Sequence, residues 1–101
     1  MILVFLLREL SARTLDRIVS FGELMSSIII SHKLSAENIK HEWKDSRELI
    51  TTNSDYGFAA VDFNTTNKTV KDFVKAHSAS LYLFPGFIAS DTHGVTTTLG
   101  R

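Results

Sequence analysis

Cysteine is absent from the 101 residues, proline occurs once and glycine five times. Without cysteine the chain can form neither a disulfide framework nor a thiolate zinc site, which fits a reducing compartment, and we expect a cytoplasmic protein. So little proline and glycine leaves no low-complexity linker and no signature of disorder. A chain of this length forms one domain at most, near the lower limit for independent folding.

Net charge is also lacking, because 11 basic residues balance 11 acidic residues. Dedicated nucleic-acid binders carry a basic excess, so we expect no nucleic-acid partner. The apolar opening Met1–Leu7 ends at Arg8 and Glu9. It is too short to span a bilayer and lacks the basic segment and cleavage site of a secretory signal, so we expect no membrane partner.

The common catalytic patterns are missing as well. The sequence contains no Gly-x-x-x-x-Gly-Lys-Ser/Thr, no Gly-x-Gly-x-x-Gly and no Gly-x-Ser-x-Gly. The four histidines are scattered, without a His-x-x-x-His pair. We therefore predict no metal ligands and no serine or cysteine nucleophile, and a bound nucleotide would have to use other residues.

Apolar residues at helical spacing dominate the first third of the chain. They predict a helical segment within residues 2–19 and a second helix over Gly22–Ala36. Phe21-Gly22 predicts a break between them or a close backbone approach. Ser20 and Glu23 have the spacing of a capping box for the second helix. The wide apolar surface of that helix predicts burial against a sheet.

The rest of the chain alternates strand and helix patterns. The predicted elements are a strand over Ile39–Lys44, a turn over Arg47–Ile50 capped by Asp45-Ser46, a polar loop over 51–57, a helix from a cap at Asn64–Thr66 to His77, a strand over Leu81–Phe84, and a hairpin joining Phe87–Ser90 to Val95–Leu99. Strands separated by helices predict an α/β domain with a largely parallel sheet. Such sheets bind ligands beyond the carboxyl ends of their strands, where the polar loops at 51–57 and 86–101 are expected.

Two features near the C terminus have more than one interpretation. Thr96–Thr98 suits an exposed strand by β-propensity alone, or presents a row of hydroxyls to a substrate. Arg101 is either a solvated side chain or a guanidinium fork for a carboxylate.

Two segments in register resemble the aspartate kinases. Ile18–Ser27 contains Ser-Phe-Gly-Glu, and Gly86–Arg101 contains Gly-Phe-Ile followed by Gly-x-Thr-Thr-Thr-Leu-Gly-Arg. Trp43–Thr52 is similar to the family's intervening strand and turn, and Leu6–Leu15 is similar to the lead-in of bifunctional aspartokinase–homoserine dehydrogenases. The resemblance implies that residues 1–101 form a central part of an aspartokinase catalytic domain.

The resemblance implies the amino-acid-kinase fold, an open three-layer αβα sandwich with a mostly parallel sheet. It also implies transfer of the ATP γ-phosphoryl group, with Mg²⁺, to the β-carboxylate of L-aspartate, a step toward lysine, threonine and methionine. The family's Lys-Phe-Gly-Gly-Thr, its Gly-Gly-Ser-Asp after Gly-Arg, its nucleotide-binding half and its regulatory domain have no counterpart here. We therefore expect an internal fragment, inactive alone, that forms a homo-oligomer through swapped or edge-paired strands, or aggregates.

By the same resemblance, Glu23 fixes the α-amino group of aspartate and Arg101 holds a substrate carboxylate. The backbone around Phe87 lines the pocket, and Thr97 and Thr98 support Arg101. No residue of the fragment is assigned a catalytic role, because phosphoryl transfer depends mostly on positioning and charge neutralisation.

Two alternatives stay open. One is another amino-acid kinase, acting on glutamate, acetylglutamate or a nucleoside monophosphate, although the pairing of Ser-Phe-Gly-Glu with Thr-Thr-Thr-Leu-Gly-Arg favours aspartate. The other is a binding or assembly module that keeps the fold without the chemistry.

Overall fold

A computed structural model of the protein describes residues 11–99. Its elements in chain order are α1 (Ala12–Ala36), β1 (Glu42–Trp43), a 3₁₀ turn (Ser46–Glu48), β2 (Thr51–Thr52), α2 (Phe63–Ala76), β3 (Tyr82–Leu83), β4 (Ile88–Asp91) and β5 (Thr96–Thr98). No helix within this range is long and apolar enough to cross a membrane.

The strands form two small sheets. β1 and β3 pair in parallel, with Trp43 opposite Leu83. In the second sheet β4 lies between β2, which is parallel to it, and β5, which is antiparallel. The predicted mixture of helices and parallel strands is confirmed, and so is the predicted hairpin, which is β4–β5. Strand β2 corrects the prediction that residues 51–57 form only a polar loop.

Helix α1 is continuous, so the predicted break at Phe21-Gly22 is wrong. The close backbone approach is wrong too, because a Cβ added at Gly22 would meet no atom within 4 Å. One glycine costs a helix about 1 kcal/mol relative to alanine, which a helix of 25 residues tolerates. The part of the predicted first segment before residue 11 lies outside the described residues.

The start of α1 also corrects the predicted capping box. Ser11 is the N-cap, and its hydroxyl accepts a hydrogen bond from the Thr14 amide. Ser20 is fully buried in mid-helix and donates its hydroxyl proton to the Arg17 carbonyl at 2.6 Å. Glu23 therefore lies in the body of the helix, and its carboxylate does not cap the backbone.

The polarity of α1 is inverted relative to the predicted burial. Its buried residues are Asp16, Ser20 and Ser27, whereas most of its large apolar side chains are exposed and the others are only half-buried. The exposed apolar face consists of Ile18, Phe21, Met25, Ile28 and Ile29, of which Met25 is 64% and Ile29 62% exposed. We call this the outer face of α1. The polar side lies against β5 and β1, so the prediction that the apolar surface packs on the sheet is wrong.

The other elements follow their local signals closely. The 3₁₀ turn is capped by Asp45, whose carboxylate accepts from the Arg47 amide, as predicted. Helix α2 begins one turn earlier in the sequence than predicted, because Asp62 is its N-cap and accepts from the Thr65 amide. The buried hydrophobic side chains are Leu49, Ala59, Phe73, Ile88 and Ala89.

Candidate functional site

The threonines of β5 are fixed inside the protein. Thr97 and Thr98 are 0% exposed. The Thr97 hydroxyl is 2.8 Å from the hydroxyl of Thr52 on β2, and Thr98 is bonded to Asp16 on α1. An exposed strand is therefore the wrong interpretation for these two residues. Their hydroxyls connect β5 to its neighbours and do not form a row open to solvent.

Asp16 is a fully buried carboxylate beside the end of β5. It is 0% exposed, and its Oδ2 accepts from the amides of Gly57 at 2.8 Å and Thr98 at 3.1 Å. Its Oδ1 accepts from the Thr98 hydroxyl at 2.8 Å. One carboxylate thus joins α1, the loop after β2 and the end of β5.

Glu23 lies seven residues after Asp16 on the same helix. Two turns of an α-helix place these side chains on one face, roughly 10 Å apart along the axis. Glu23 is half-buried and makes no hydrogen bond or ion pair with any residue in the range 11–99. Among these residues no cationic side chain neutralises its carboxylate.

Phe87 adopts a left-handed backbone conformation, with a φ of 71°, immediately before β4. Its carbonyl accepts from the Leu99 amide at 3.0 Å, so the peptide is fixed between the start of β4 and the end of β5. Non-glycine residues in this conformation cost of order 1–3 kcal/mol and are concentrated at ligand sites. Arg101, the predicted carboxylate ligand, lies outside the described residues.

Arg47 supports the outer side of the hairpin. It pairs with Asp45 through Nη2 at 2.6 Å and donates from Nη1 to the Thr96 hydroxyl at 3.2 Å. Its carbonyl accepts from the Ser90 hydroxyl. The guanidinium is committed to these contacts, and the hydrogen bond with Asp45 is the main reason that the pKa of Arg47 is raised.

The sequence interpretation missed Asp16, although a signal for it exists. Polar residues recur along α1 at Asp16, Ser20, Glu23 and Ser27, with the i, i+4, i+7, i+11 spacing of one helix face. Ser27 accepts from Trp43 Nε1 at 2.9 Å, so this polar stripe contacts both sheets. A polar stripe at helical spacing between large apolar residues could have indicated the inward side of α1.

Among residues 11–99, no group of three or more His, Asp or Glu side chains could hold a metal ion. The described residues therefore do not fit Mg²⁺ by themselves.

Comparison with known proteins identifies the relatives of this chain. No family model matches the sequence. The chain is 33% identical over 87 residues to lysine-sensitive aspartokinase 3 of Escherichia coli, a match that covers 85% of this chain and 19% of that protein. It is 30% identical over 87 residues to a chloroplastic bifunctional aspartokinase/homoserine dehydrogenase 2 of Zea mays, covering 85% and 10%.

Solved structures agree with these sequence matches. The structure superposes on E. coli aspartokinase III in complex with aspartate and ADP with a TM-score of 0.83 and 33% identity. This chain is homologous to a segment of the aspartokinases. The match covers 90% of this chain and 21% of that enzyme, so the chain spans about a fifth of the length of aspartokinase III. The form bound to lysine and aspartate gives a TM-score of 0.81. The expected resemblance to the aspartokinases and the expected α/β fold are confirmed.

Asp91 anchors the β4–β5 hairpin. Burial alone would raise the pKa of Asp91, but four hydrogen bonds outweigh it. They come from the Val95 amide, the Ser54 hydroxyl, the His93 amide and the Tyr56 hydroxyl, and they hold the pKa of Asp91 below its ordinary value of 3.8.

We expect Asp91 to make the fold sensitive to acid. Its stabilisation is complete above the unfolded-state pKa of about 3.9 and is lost as the pH falls below that value through the lower folded-state pKa. Asp91→Asn removes this titration, so urea unfolding followed by circular dichroism should show a shallower loss of stability in the variant over that range. Equal losses in both proteins would contradict the prediction.

Proposed function

We propose that this chain provides part of the L-aspartate site of an aspartate kinase, which transfers the ATP γ-phosphoryl group to the β-carboxylate of aspartate. The main support is the superposition, at 33% identity, on an enzyme solved with aspartate and ADP. Physical support comes from the half-buried carboxylate of Glu23, which has no partner among residues 11–99, and from the strained backbone at Phe87.

In this proposal the site binds both the ammonium group and a carboxylate of the amino acid. Glu23 accepts from the substrate α-ammonium group, and Arg101 binds a carboxylate through a charge-assisted fork. The backbone at Phe87 lines the pocket, and Thr97 and Thr98 support Arg101 by fixing the end of β5. These contacts position the β-carboxylate, while ATP and Mg²⁺ are bound mostly by parts of the enzyme beyond this chain.

A segment exchange tests the proposal. The matched segment of E. coli aspartokinase III is replaced by this chain, and ATP-dependent formation of aspartyl hydroxamate is measured. We expect the chimera to phosphorylate L-aspartate in preference to L-glutamate, since the segment carries the contacts that select the amino acid. A folded chimera that is inactive on every acceptor would favour the binding-module alternative, and a preference for another acceptor would favour a different amino-acid kinase.

The isolated 101 residues should be inactive in the same assay, because the proposed nucleotide contacts lie elsewhere. Turnover above background would overturn this part of the proposal. Calorimetry with L-aspartate on the isolated chain measures whatever substrate affinity the partial site retains. We further propose that the enzyme acts in the cytoplasm.

We also propose that the isolated chain self-associates through the outer face of α1. This face exposes large apolar side chains along three helical turns, and the net charge of zero provides no electrostatic repulsion between copies. Edge pairing of the short strands would add to the same association.

Met25→Glu with Ile29→Lys should reduce this self-association without changing the net charge. The two new side chains form a favourable i,i+4 pair on the helix while interrupting the apolar surface. Sedimentation velocity should show a shift toward monomer. The matched control exchanges the exposed ion pair of Lys33 and Glu37 on the same helix and should leave the association unchanged. Equal behaviour of both variants would count against the outer face as the contact.

A further inference from the structure

We infer that Asp16 is a positioning residue of the aspartate site, one that sets the distance between the helix carrying Glu23 and the strand leading to Arg101. The expected effect of Asp16 on aspartate binding rests on the proposed function. Its effect on the distance between the helix and the strand depends only on the hydrogen bonds of Asp16.

The geometry gives Asp16 this role because its carboxylate, on α1, accepts from both the end of β5 and the loop after β2. Its Oδ1 accepts from the Thr98 hydroxyl, and its Oδ2 accepts from the Thr98 amide. These two bonds fix both the position and the orientation of the end of β5. The third bond, from the Gly57 amide, fixes the loop after β2 to the same carboxylate.

Glu23 is on the helix side of this junction, and Thr98 is on the strand side. Glu23 follows Asp16 by about two helical turns, and Arg101 follows Thr98 by three residues in the sequence. A change in the length of the side chain at 16 therefore shifts the helix relative to the strand, and with it the spacing between Glu23 and the end of β5. Binding of an amino acid at two charged ends is sensitive to that spacing.

Two substitutions distinguish the effect of the length of the Asp16 side chain from the effect of its charge. Asp16→Glu keeps the carboxylate but adds one methylene at a fully buried position, which must displace neighbouring groups. Asp16→Asn keeps the length: its amide oxygen can still accept from both backbone amides, and its NH₂ group can donate to the Thr98 hydroxyl, which rotates to accept. A positioning role predicts that the glutamate variant is more impaired than the asparagine variant.

Asp91→Glu is the matched control. Asp91 is 4% exposed and accepts several hydrogen bonds, all within the hairpin and the loop at 54–56, and none from α1. Lengthening it should lower stability without changing the relation of α1 to β5.

The kinetic readout uses the intact gene product with ATP and L-aspartate, at a temperature where all variants are folded. We expect Asp16→Glu to raise the KM for aspartate about tenfold, while the KM for ATP changes less than about twofold. Asp16→Asn should stay within about threefold of the parent, and Asp91→Glu should lower Tm only. An equal rise in both KM values, or a larger effect of asparagine than of glutamate, would overturn the inference.

A second readout does not depend on activity. In NMR spectra of the isolated chain, Asp16→Glu should alter the nuclear Overhauser contacts between α1 and β5 while those within the β4–β5 hairpin persist. Unchanged contacts would refute the positioning role even if the enzyme is active. Altered contacts in a protein that does not phosphorylate aspartate would support the positioning role and reject the proposed function.

Discussion

Replacing Asp16 with alanine lowers the free energy of unfolding by about 4 kcal/mol, because three buried donors lose their acceptor at once. The amides of Gly57 and Thr98 and the Thr98 hydroxyl all bond this carboxylate, which is fully shielded from water. Each unsatisfied buried donor costs about 1–3 kcal/mol, and partial access of water to the vacated space relieves some of the total. For a domain of this size the expected loss is a large part of the whole stability.

Urea unfolding followed by circular dichroism measures this effect. The matched control is Asp72→Ala, which removes an exposed aspartate from α2 and should change the free energy of unfolding by less than about 0.5 kcal/mol. Thr98→Val, which removes one of the three donors together with its bond, should cost less than Asp16→Ala. A loss for Asp16→Ala no larger than that of the control would show that solvent reaches the three donors easily.

The predictions that succeeded depend on local chemistry. A turn formed by Asp91-Thr-His-Gly94 between two β-rich segments predicted the hairpin, and Gly94 does adopt a positive φ of 78° there. Asp45 was expected to cap the short turn after β1, and it does. Such signals act over a few residues, so the sequence contains all of the information that decides them.

The predictions that failed concern α1, where tertiary contacts override local preference. Ser20 and Glu23 have the spacing of a capping box, but Ser20 is buried in a helix that began at Ala12. The buried serines of the polar stripe find hydrogen-bond partners within the fold. Ser20 donates to the Arg17 carbonyl, and Ser27 donates to the Leu24 carbonyl and accepts from Trp43. Apolar periodicity alone could not reveal that this helix presents its polar side to the sheets.

The candidate site was predicted only in part from the sequence. The resemblance selected Glu23, Phe87, Thr97, Thr98 and Arg101. Two of them have physical features consistent with a ligand site: the Glu23 carboxylate has no partner among residues 11–99, and Phe87 has a left-handed backbone. Asp16 was not selected, because its role depends on a hydrogen bond to a residue 82 positions away in the chain. The roles of the selected residues toward aspartate stay predictions.

Glu23→Gln should raise the KM for L-aspartate about 30-fold in the intact gene product or in the chimera with aspartokinase III. The substitution keeps the shape of the side chain but replaces a charge-assisted contact to the substrate ammonium group with a neutral one, a loss of about 2 kcal/mol. Stability should change little, because Glu23 has no hydrogen bond or ion pair with residues 11–99 to lose. The KM for ATP should be unaffected.

Succinate makes the test specific, because it is aspartate without the amino group. If Glu23 binds the ammonium group, Glu23→Gln should leave the inhibition constant of succinate unchanged or lower it, while the affinity for aspartate falls. Glu37→Gln provides the control on the same helix, since Glu37 pairs only with exposed Lys33 among the described residues. An equal weakening of aspartate binding and succinate binding would instead show that Glu23 maintains the shape of the pocket. Unchanged binding of both would show that Glu23 is not part of the aspartate site.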